Sequence, residues 1–213
     1  VIGGDTAADR NVIAGNTGNG IYILDSATNL VMGNYIGVKA DGVTALPNST
    51  GVYVSNSTGN TIGGTTAGSR NVISGNTSNG VFVVGNENVV MGNYVGTDAS
   101  GTVAIPNGNI GVRIGNGGAA VSSGNIIGGS AAGQGNLISG NGSYGIQAVV
   151  SDLTTIQGNT IGLDVTKTAA MPNNYGISLS SALNNFIGGT VAGAGNVISG
   201  NTRQGIFVGE DCL

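Results

Sequence analysis

The 213-residue chain contains 42 Gly and 27 Asn, and only 8% of its residues are charged, although 39% are hydrophobic and the mean hydropathy is +0.21. Few charges beside many apolar side chains argue against disorder, and Gly without a three-residue period excludes collagen. Apolar runs last only a few positions, whereas a transmembrane helix needs about 20 apolar residues. For that reason we expect no membrane span. The net charge is −4 and the sequence has no basic cluster, so we also expect no nucleic-acid partner.

The ends of the chain and its one cysteine say little about its location. Cys212 alone supports neither a disulfide framework nor a cysteine zinc site. The chain starts at Val1 without the pattern of a signal peptide, and both ends cut into the repeat described next. We therefore expect residues 1–213 to be a single domain that is a fragment of a longer repeat protein.

Two sequence elements recur in constant phase. Ile-Gly-Gly stands at 2–4, 62–64, 127–129 and 187–189, and Asn-(Val/Leu)-Ile-(Ala/Ser)-Gly-Asn begins at Asn11, Asn71, Asn136 and Asn196. Both elements advance by 60, 65 and 60 residues. A third element, Gly-apolar-any-apolar, recurs at half that step: Gly20, Gly51, Gly80, Gly111, Gly145, Gly176 and Gly205. Such periodicity is typical of solenoids, here with a unit of about 30 residues.

Within each unit the chain shows short strand patterns and no helical period. The Ile-Gly-Gly strand leads through a six-residue turn such as 65–70 into the Asn-Val-Ile strand, and the Gly-apolar strand follows. In alternate units a longer loop opens at 33–37, 92–96 and 158–162, and these loops contain all three prolines. Identical strands that recur once per unit must stack in parallel. We predict an all-β parallel solenoid of about seven coils, with three short strands per coil and two coil types that differ at one corner.

This pattern resembles the right-handed parallel β-helix repeat proteins of the pectin-lyase-like superfamily. It is most similar to the Gly- and Asn-rich forms common in secreted or cell-surface bacterial proteins, and the resemblance covers nearly the whole chain. It implies a right-handed parallel β-helix and an extracellular location, secreted or on the cell surface. The resemblance does not indicate one particular activity, because the superfamily includes lyases, hydrolases, epimerases, adhesins and phage tailspikes.

Side-chain alternation predicts the core and the bends. Each Gly-apolar strand directs two residues inward: Ile21/Ile23, Val52/Val54, Val81/Val83, Val112/Ile114, Ile146/Ala148, Ile177/Leu179 and Ile206/Val208. Asn16, Asn76, Asn141 and Asn201 fall at sharp bends. There Asn tolerates left-handed backbone geometry and neighbouring Gly residues permit positive φ; because the Asn residues are in register, we also expect amide ladders between coils.

The inventory of reactive side chains is small. The chain has no His, which removes the commonest general base and metal ligand. Asp98 and Asp164 occupy equivalent positions in two long loops and are the only candidates for catalytic residues, about 10 Å apart if coils stack at 4.8 Å. That distance exceeds the spacing of a retaining carboxylate pair and lies at the edge of the inverting range. We expect no cofactor and no metal site, with Ca²⁺ at the acidic loops as the alternative.

One residue in each Gly-apolar strand points outward, between the two inward ones. Down the coils these are Tyr22, Tyr53, Phe82, Arg113, Gln147, Ser178 and Phe207. The first four form a stripe on one face, and two interpretations are open. Tyr22, Tyr53, Phe82 and Arg113 could bind sugar rings or an apolar partner. Alternatively, they stack across coils and stabilise the sheet.

These features favour a non-catalytic extracellular module that serves as a stalk or adhesive segment of a larger protein. Its partner would be a polysaccharide, a surface glycan or another protein. The alternative is a polysaccharide-active enzyme, whose catalytic residues are Asp98 and Asp164 or lie outside this segment. A further alternative is fibre formation, because open strand edges at the terminal coils favour end-to-end self-association.

Overall fold

The computed structural model describes residues 1–118, 121–210 and 212. The regular elements of this part of the chain are one short 3₁₀-helix, Ala7–Asp9, and β-strands, which turns and loops connect. They form an all-β parallel solenoid of about seven turns, with about 31 residues per turn. The predicted fold class, the number of coils and the three strands per coil are confirmed.

Each coil gives one strand to each of three seven-stranded parallel sheets, here called sheets A, B and C in the order in which a coil visits them. Sheet A contains Ile2–Gly3, Leu30–Met32, Thr61–Gly63, Val89–Met91, Ile126–Gly128, Thr155–Gln157 and Phe186–Ile187. Sheet B contains Val12–Ile13, Tyr35–Ile36, Val72–Ile73, Tyr94–Val95, Leu137–Ile138, Thr160–Ile161 and Val197–Ile198. Sheet C contains Ile21–Leu24, Val52–Thr58, Val81–Asn86, Val112–Ile114, Tyr144–Val149, Tyr175–Ser180 and Ile206–Val208. Ser122–Ser123 and Ser151–Asp152 form a small fourth sheet.

The inward residues of the three sheets form one aliphatic core. Val31, Ile62, Ile127 and Ile156 of sheet A are fully buried, as are their counterparts in the other two sheets. The inward pairs predicted for sheet C are buried in the first six coils. In the seventh coil the prediction is wrong, because Ile206 and Val208 are 45% and 57% exposed. Among the described residues their strand pairs only with Tyr175–Ser180, which leaves its other edge uncovered.

The two coil types differ at two corners, where the sequence analysis predicted one. In the third coil, residues 64–71 connect sheet A to sheet B, whereas in the second coil Gly33 and Asn34 alone make this connection. At the next corner the relation is reversed, since 37–51 join sheet B to sheet C in the second coil and 74–80 suffice in the third. Each extension therefore lies beside a tight corner of the neighbouring coil. The N–H of Gly33, for example, donates to the carbonyl oxygen of Ser69 at 3.0 Å.

Two asparagine ladders run through all seven coils. Ladder 1, between sheets A and B, consists of Asn11, Asn34, Asn71, Asn93, Asn136, Asn159 and Asn196, and ladder 2, between sheets B and C, consists of Asn16, Asn48, Asn76, Asn107, Asn141, Asn173 and Asn201. In both, each Nδ2 donates to the Oδ1 of the next member at 2.8–3.1 Å. The predicted amide ladders are confirmed. Ladder 2 has more members than predicted, because the Asn that follows each proline of the long loops joins it.

At the four bends where it was expected, the left-handed geometry belongs to the glycine and not to the asparagine. Gly15, Gly75, Gly140 and Gly200, each directly before a ladder-2 Asn, have φ between 73° and 76°. Asn16, Asn76, Asn141 and Asn201 have no positive φ, so the prediction is confirmed for the neighbouring glycines and wrong for the asparagines. Glycine takes this region without a steric penalty, which leaves the amide side chain free to bridge coils.

A third ladder is interrupted. Asn29, Asn60, Asn88 and Asn125 form it between sheets C and A, with Nδ2 to Oδ1 distances of 2.9–3.3 Å. In the next coil the corresponding residue is Thr154, whose fully buried Oγ1 has no hydrogen-bond partner in the described part of the chain. Thr154 donates only its backbone N–H to Asn185, at 2.8 Å.

We predict that Thr154→Asn stabilises the protein by about 1 kcal/mol, because it replaces an unpaired hydroxyl with two bridging hydrogen bonds. In a chain of this size that gain corresponds to a rise in Tm of about 2–4 °C, measured by thermal denaturation. Thr154→Val is the matched control, since it removes the hydroxyl without completing the ladder. If Thr154→Asn melts no higher than Thr154→Val, the ladder adds nothing at this position.

Candidate functional site

The aromatic column, defined as Tyr22, Tyr53, Phe82 and Arg113, lies on the outer face of sheet C. The strand register pairs each member with the next, as predicted. Ring centroids are 5.1 Å apart for Tyr22–Tyr53 and 4.8 Å apart for Tyr53–Phe82, with interplanar angles of 14° and 12°. The guanidinium carbon of Arg113 lies 4.9 Å from the Phe82 centroid. The column is thus a continuous stack of three rings with the Arg113 guanidinium at one end.

This stacking limits what the column can bind. Both faces of Tyr53 and both faces of Phe82 are covered by column neighbours, so these rings offer mainly their edges to a ligand. Tyr22 is 51% exposed and stacks within the column on one side only. Among the described residues, the column therefore offers a sugar ring an uncovered aromatic face only at Tyr22. Ligand binding by the column stays a prediction, whereas its cross-coil stacking is present in the structure.

A second aromatic stack on the same sheet escaped the sequence analysis. Tyr144 and Tyr175 stack at 4.9 Å, and Phe207 meets Tyr175 edge-on at 6.2 Å. Arg203 Nη1 donates to the hydroxyl of Tyr175 at 2.9 Å. The signal was visible, because each Tyr directly precedes the glycine of a Gly-apolar strand. Ser178, predicted to point outward, is buried because its short side chain lies in register between Gln147 and Phe207.

Asp98 and Asp164 act as hydrogen-bond acceptors inside their own loops. Asp98 Oδ1 accepts the N–H groups of Thr102 and Val103, both at 3.0 Å, and its Oδ2 accepts the Ser100 hydroxyl at 2.6 Å. Asp164 makes the same three bonds to the corresponding residues 166, 168 and 169. The two side chains are only 4% and 7% exposed. Their carboxylates therefore hold the long loops in shape.

Asp41 does the same in the first long loop from a position two residues later. Its Oδ1 accepts the N–H groups of Val43 and Thr44 at 2.9 Å, and its Oδ2 accepts the Thr44 hydroxyl at 2.6 Å. The displaced aspartate thus serves backbone groups equivalent to those that Asp98 serves. This explains why one of the three loops carries its acid out of step in the sequence.

These hydrogen bonds lower the pKa values of the three carboxyl groups. The Thr44 hydroxyl, followed by the N–H groups of Val43 and Thr44, lowers the pKa of Asp41 to about 2. The Thr166 hydroxyl is the main cause of the lowered pKa of Asp164. At Asp98 burial by itself raises the pKa, but the hydrogen bonds from Ser100, Val103 and Thr102 outweigh it, and the net shift is downward. All three groups are held as carboxylates, which does not suit a general acid.

We predict that stability falls as the pH is lowered from about 4 to about 2. A group whose pKa is depressed on folding stabilises the native state above its unfolded pKa, 3.8 here, and loses that contribution as the pH falls through the folded value. The control is the combined variant Asp41→Asn, Asp98→Asn and Asp164→Asn, which keeps one acceptor oxygen at each position for the backbone N–H groups but cannot titrate. Urea midpoints at a series of pH values should fall more steeply in the parent. Equal slopes would contradict the assignment.

The long loops also contact one another. The N–H of Ala99 donates to the carbonyl oxygen of Gly42, and that of Val165 to the carbonyl oxygen of Gly101, both at 3.0 Å. Asp98 and Asp164 thus belong to adjacent, linked loops. Within the described ranges no group of three or more His, Cys, Asp or Glu is placed to hold a metal ion. Catalysis at the two aspartates and Ca²⁺ binding therefore rest on the sequence alone.

Sheet B carries an arrangement that sequence reasoning missed. The guanidinium carbons of Arg10 and Arg70 lie 4.2 and 4.1 Å from the ring centroids of Tyr35 and Tyr94. Arg10 Nε also donates to the carbonyl oxygen of Gly33 at 3.2 Å. The spacing could have revealed the pairs, since the two arginines are two coils apart and so are the two tyrosines. We call such a two-coil unit a double repeat. Each arginine lies near the end of an extended connection from sheet A to sheet B and covers a tyrosine of the following coil.

The comparisons leave the family open. No protein-family model matches the chain, and no curated protein shows significant similarity to it. Across the residues that the structure covers, no helix has the length and hydrophobicity needed to cross a membrane. The structure defines the fold class, which is a parallel β-solenoid of about seven turns.

Proposed function

We propose that this chain is a rigid, non-catalytic module of a secreted or cell-surface protein, which acts as a stalk or adhesive segment. In this proposal it belongs to the Gly- and Asn-rich parallel β-helices that resemble the pectin-lyase-like superfamily. The observation that supports the proposal is that the polar side chains of the ladders and long loops form hydrogen bonds within the scaffold. Asn residues bridge successive coils along the rod, and the long-loop aspartates bind backbone groups of their own loops.

A stalk needs resistance to bending and unfolding along its axis. Two ladders link all seven coils at two of the three corners, and the core is continuous between the sheets. In repeat proteins each unit is stabilised mainly by its neighbours, so an unbroken ladder couples the units directly. The aromatic column and the long loops would then be the surfaces that such a rod presents to a glycan or protein.

The test separates a scaffold from an enzyme. The protein is incubated with uronate polymers, with and without Ca²⁺, and unsaturated products and reducing ends are measured. We expect no turnover, and therefore no difference between the parent and Asp98→Asn or Asp164→Asn. Robust turnover that Asp98→Asn abolishes would overturn the proposal in favour of a polysaccharide-active enzyme.

The adhesive role has its own test. We expect the combined variant Tyr22→Ser, Tyr53→Ser and Phe82→Ser to lose binding on a glycan array, while Tyr144→Ser on the second stack retains it. Stacked pairs contribute about 0.5–1.5 kcal/mol each, so the triple variant should also have a lower Tm. A lower Tm with unchanged glycan binding would assign the column to stability alone. Monodispersity in light scattering decides separately whether copies associate end to end.

A further inference from the structure

A groove of about 370 Å³ opens on the outer face of sheet B. Its borders are the short turn 129–135 on one side and Val165 and Lys167 of a long loop on the other. Arg70 and Tyr94 form one end, and Thr160 lies on its floor. The groove has no role in the scaffold described above.

The repeat explains why the groove is present. In the first two double repeats an arginine covers the tyrosine of the next coil, as Arg10 covers Tyr35 and Arg70 covers Tyr94. In the third, the corresponding positions are Gly135 and Thr160. Two large side chains are replaced by two small ones, so no Arg–Tyr pair covers this part of sheet B.

The groove is positively charged. Arg70 and Lys167 both line it, and none of its lining residues is acidic. Arg10 donates its Nε to a backbone carbonyl, but the buried Nε of Arg70 has no partner in the described part of the chain. The guanidinium of Arg70 is held in place by Tyr94, at 4.1 Å from the ring centroid. One oriented planar donor and one flexible ammonium group thus face the same space.

Lys167 occupies a backbone position that favours glycine. Its φ is 61°, and the equivalent residues of the other two long loops are Gly42 and Gly101, with φ of 68° and 73°. A non-glycine residue in this region costs free energy. Lysine at this position places a charge beside the groove at the expense of backbone strain.

We propose that this groove binds a phosphate group, either as the free inorganic ion or as the monoester of a small polar molecule. Such a group carries about −1.5 to −2 charges at neutral pH, which matches the two cations. Arginine binds phosphate oxygens through paired N–H donors, and lysine adds a point charge. The volume of the groove lies within the range of small-molecule sites, which is about 300–1,000 Å³. The ligand would bind between the turn and the long loop, against Arg70 and Lys167.

Isothermal titration calorimetry of the whole chain, at low ionic strength, tests the proposal. The probes are inorganic phosphate, glucose 6-phosphate, glucose and glucuronate. We expect glucose 6-phosphate to bind at least about tenfold more tightly than glucose or glucuronate, and more weakly as salt is added. Inorganic phosphate that binds as tightly as glucose 6-phosphate identifies the free ion as sufficient. If inorganic phosphate binds more weakly than glucose 6-phosphate, the ligand is a phosphorylated molecule. Either result supports the site.

The variants include their own folding control. Lys167→Gly installs the residue that the other two loops carry, so we expect it to keep or raise the Tm while it weakens phosphate binding about tenfold. Arg70→Gln should weaken binding to a similar degree. Lys39→Gln and Arg10→Gln remove cations elsewhere and should stay within about twofold of the parent. The proposal is overturned if glucuronate binds as tightly as glucose 6-phosphate, if no phosphate binds, or if Lys167→Gly and Arg70→Gln bind like the parent.

Discussion

Gly63→Ala is expected to lower the free energy of unfolding by about 4 kcal/mol, which is exceptional for the addition of one methyl group. Gly63 has φ of 100°, in a region that L side chains rarely adopt. A Cβ at this position would overlap with the carbonyl oxygen of Met91 in the next coil and lie 2.6 Å from Asn93 Oδ1. Neither neighbour can move without loss of a strand or ladder hydrogen bond. Urea denaturation followed by circular dichroism measures the effect.

Two further glycines separate the causes of this loss. Gly188 is the equivalent residue in the last strand of sheet A, where φ is 84° but nothing lies within 4 Å of a built Cβ. Gly188→Ala should therefore cost only the backbone term, about 1–2 kcal/mol. Gly18 has neither a positive φ nor a close neighbour, and Gly18→Ala should be nearly neutral. A cost for Gly188→Ala as large as that for Gly63→Ala would show that contact with the next coil is unimportant.

Asn93→Ala is the second large effect, with an expected loss of about 4 kcal/mol from unmade hydrogen bonds and a buried void. Asn93 is fully buried, and its Nδ2 donates to the carbonyl oxygens of Ile62 and Met91 and to Asn136 Oδ1, at 2.9–3.1 Å. Its Oδ1 accepts from Asn71 Nδ2 at 2.9 Å. Alanine leaves these groups without partners in a place that water does not reach. The denaturation midpoint reports the loss.

Asn109→Ala is the matched control, because Asn109 is exposed and lies outside the ladders. It should change stability by less than about 0.5 kcal/mol. Asn93→Asp tests the chemistry further, since it keeps the shape of the side chain but replaces the donor with an acceptor that faces three oxygens. We expect it to be as damaging as alanine at neutral pH. A mild effect of Asn93→Asp would mean that ladder 1 contributes through shape and not through donation.

The fold could be predicted because a solenoid repeats its local instructions. Ile-Gly-Gly combines an inward aliphatic residue with a glycine that turns the chain, and each coil presents the same pattern to its neighbours. Parallel stacking follows from the period alone, and the register of the aromatic column followed from alternation within one strand. The division of extra residues between two corners did not follow. The sequence shows where a loop is long, but not which neighbouring coil it will cover.

The candidate sites were less predictable than the fold. The positions of Asp98 and Asp164 in equivalent loops were evident, but their hydrogen bonds to backbone N–H groups depend on the path of the loop. The Arg–Tyr contacts join residues 24–25 positions apart, and they arise only after one coil stacks on the next. The groove beside Arg70 was equally hard to predict, because it depends on how the turn 129–135 and the long loop with Lys167 lie on either side of it.

The sequence by itself determined the repeat, the parallel strands, the aliphatic core and the scarcity of reactive groups. These are properties of the period and of residue type, and neighbour-to-neighbour stacking in a solenoid transmits them directly. Only the tertiary structure decided which polar groups are consumed and which remain. Asn amides are bonded along the rod, and the long-loop aspartates are bonded within their loops. Arg70 and Lys167 face a common groove. The physical reason is that hydrogen bonds and charges depend on distance and direction, which are set only once the coils lie in register.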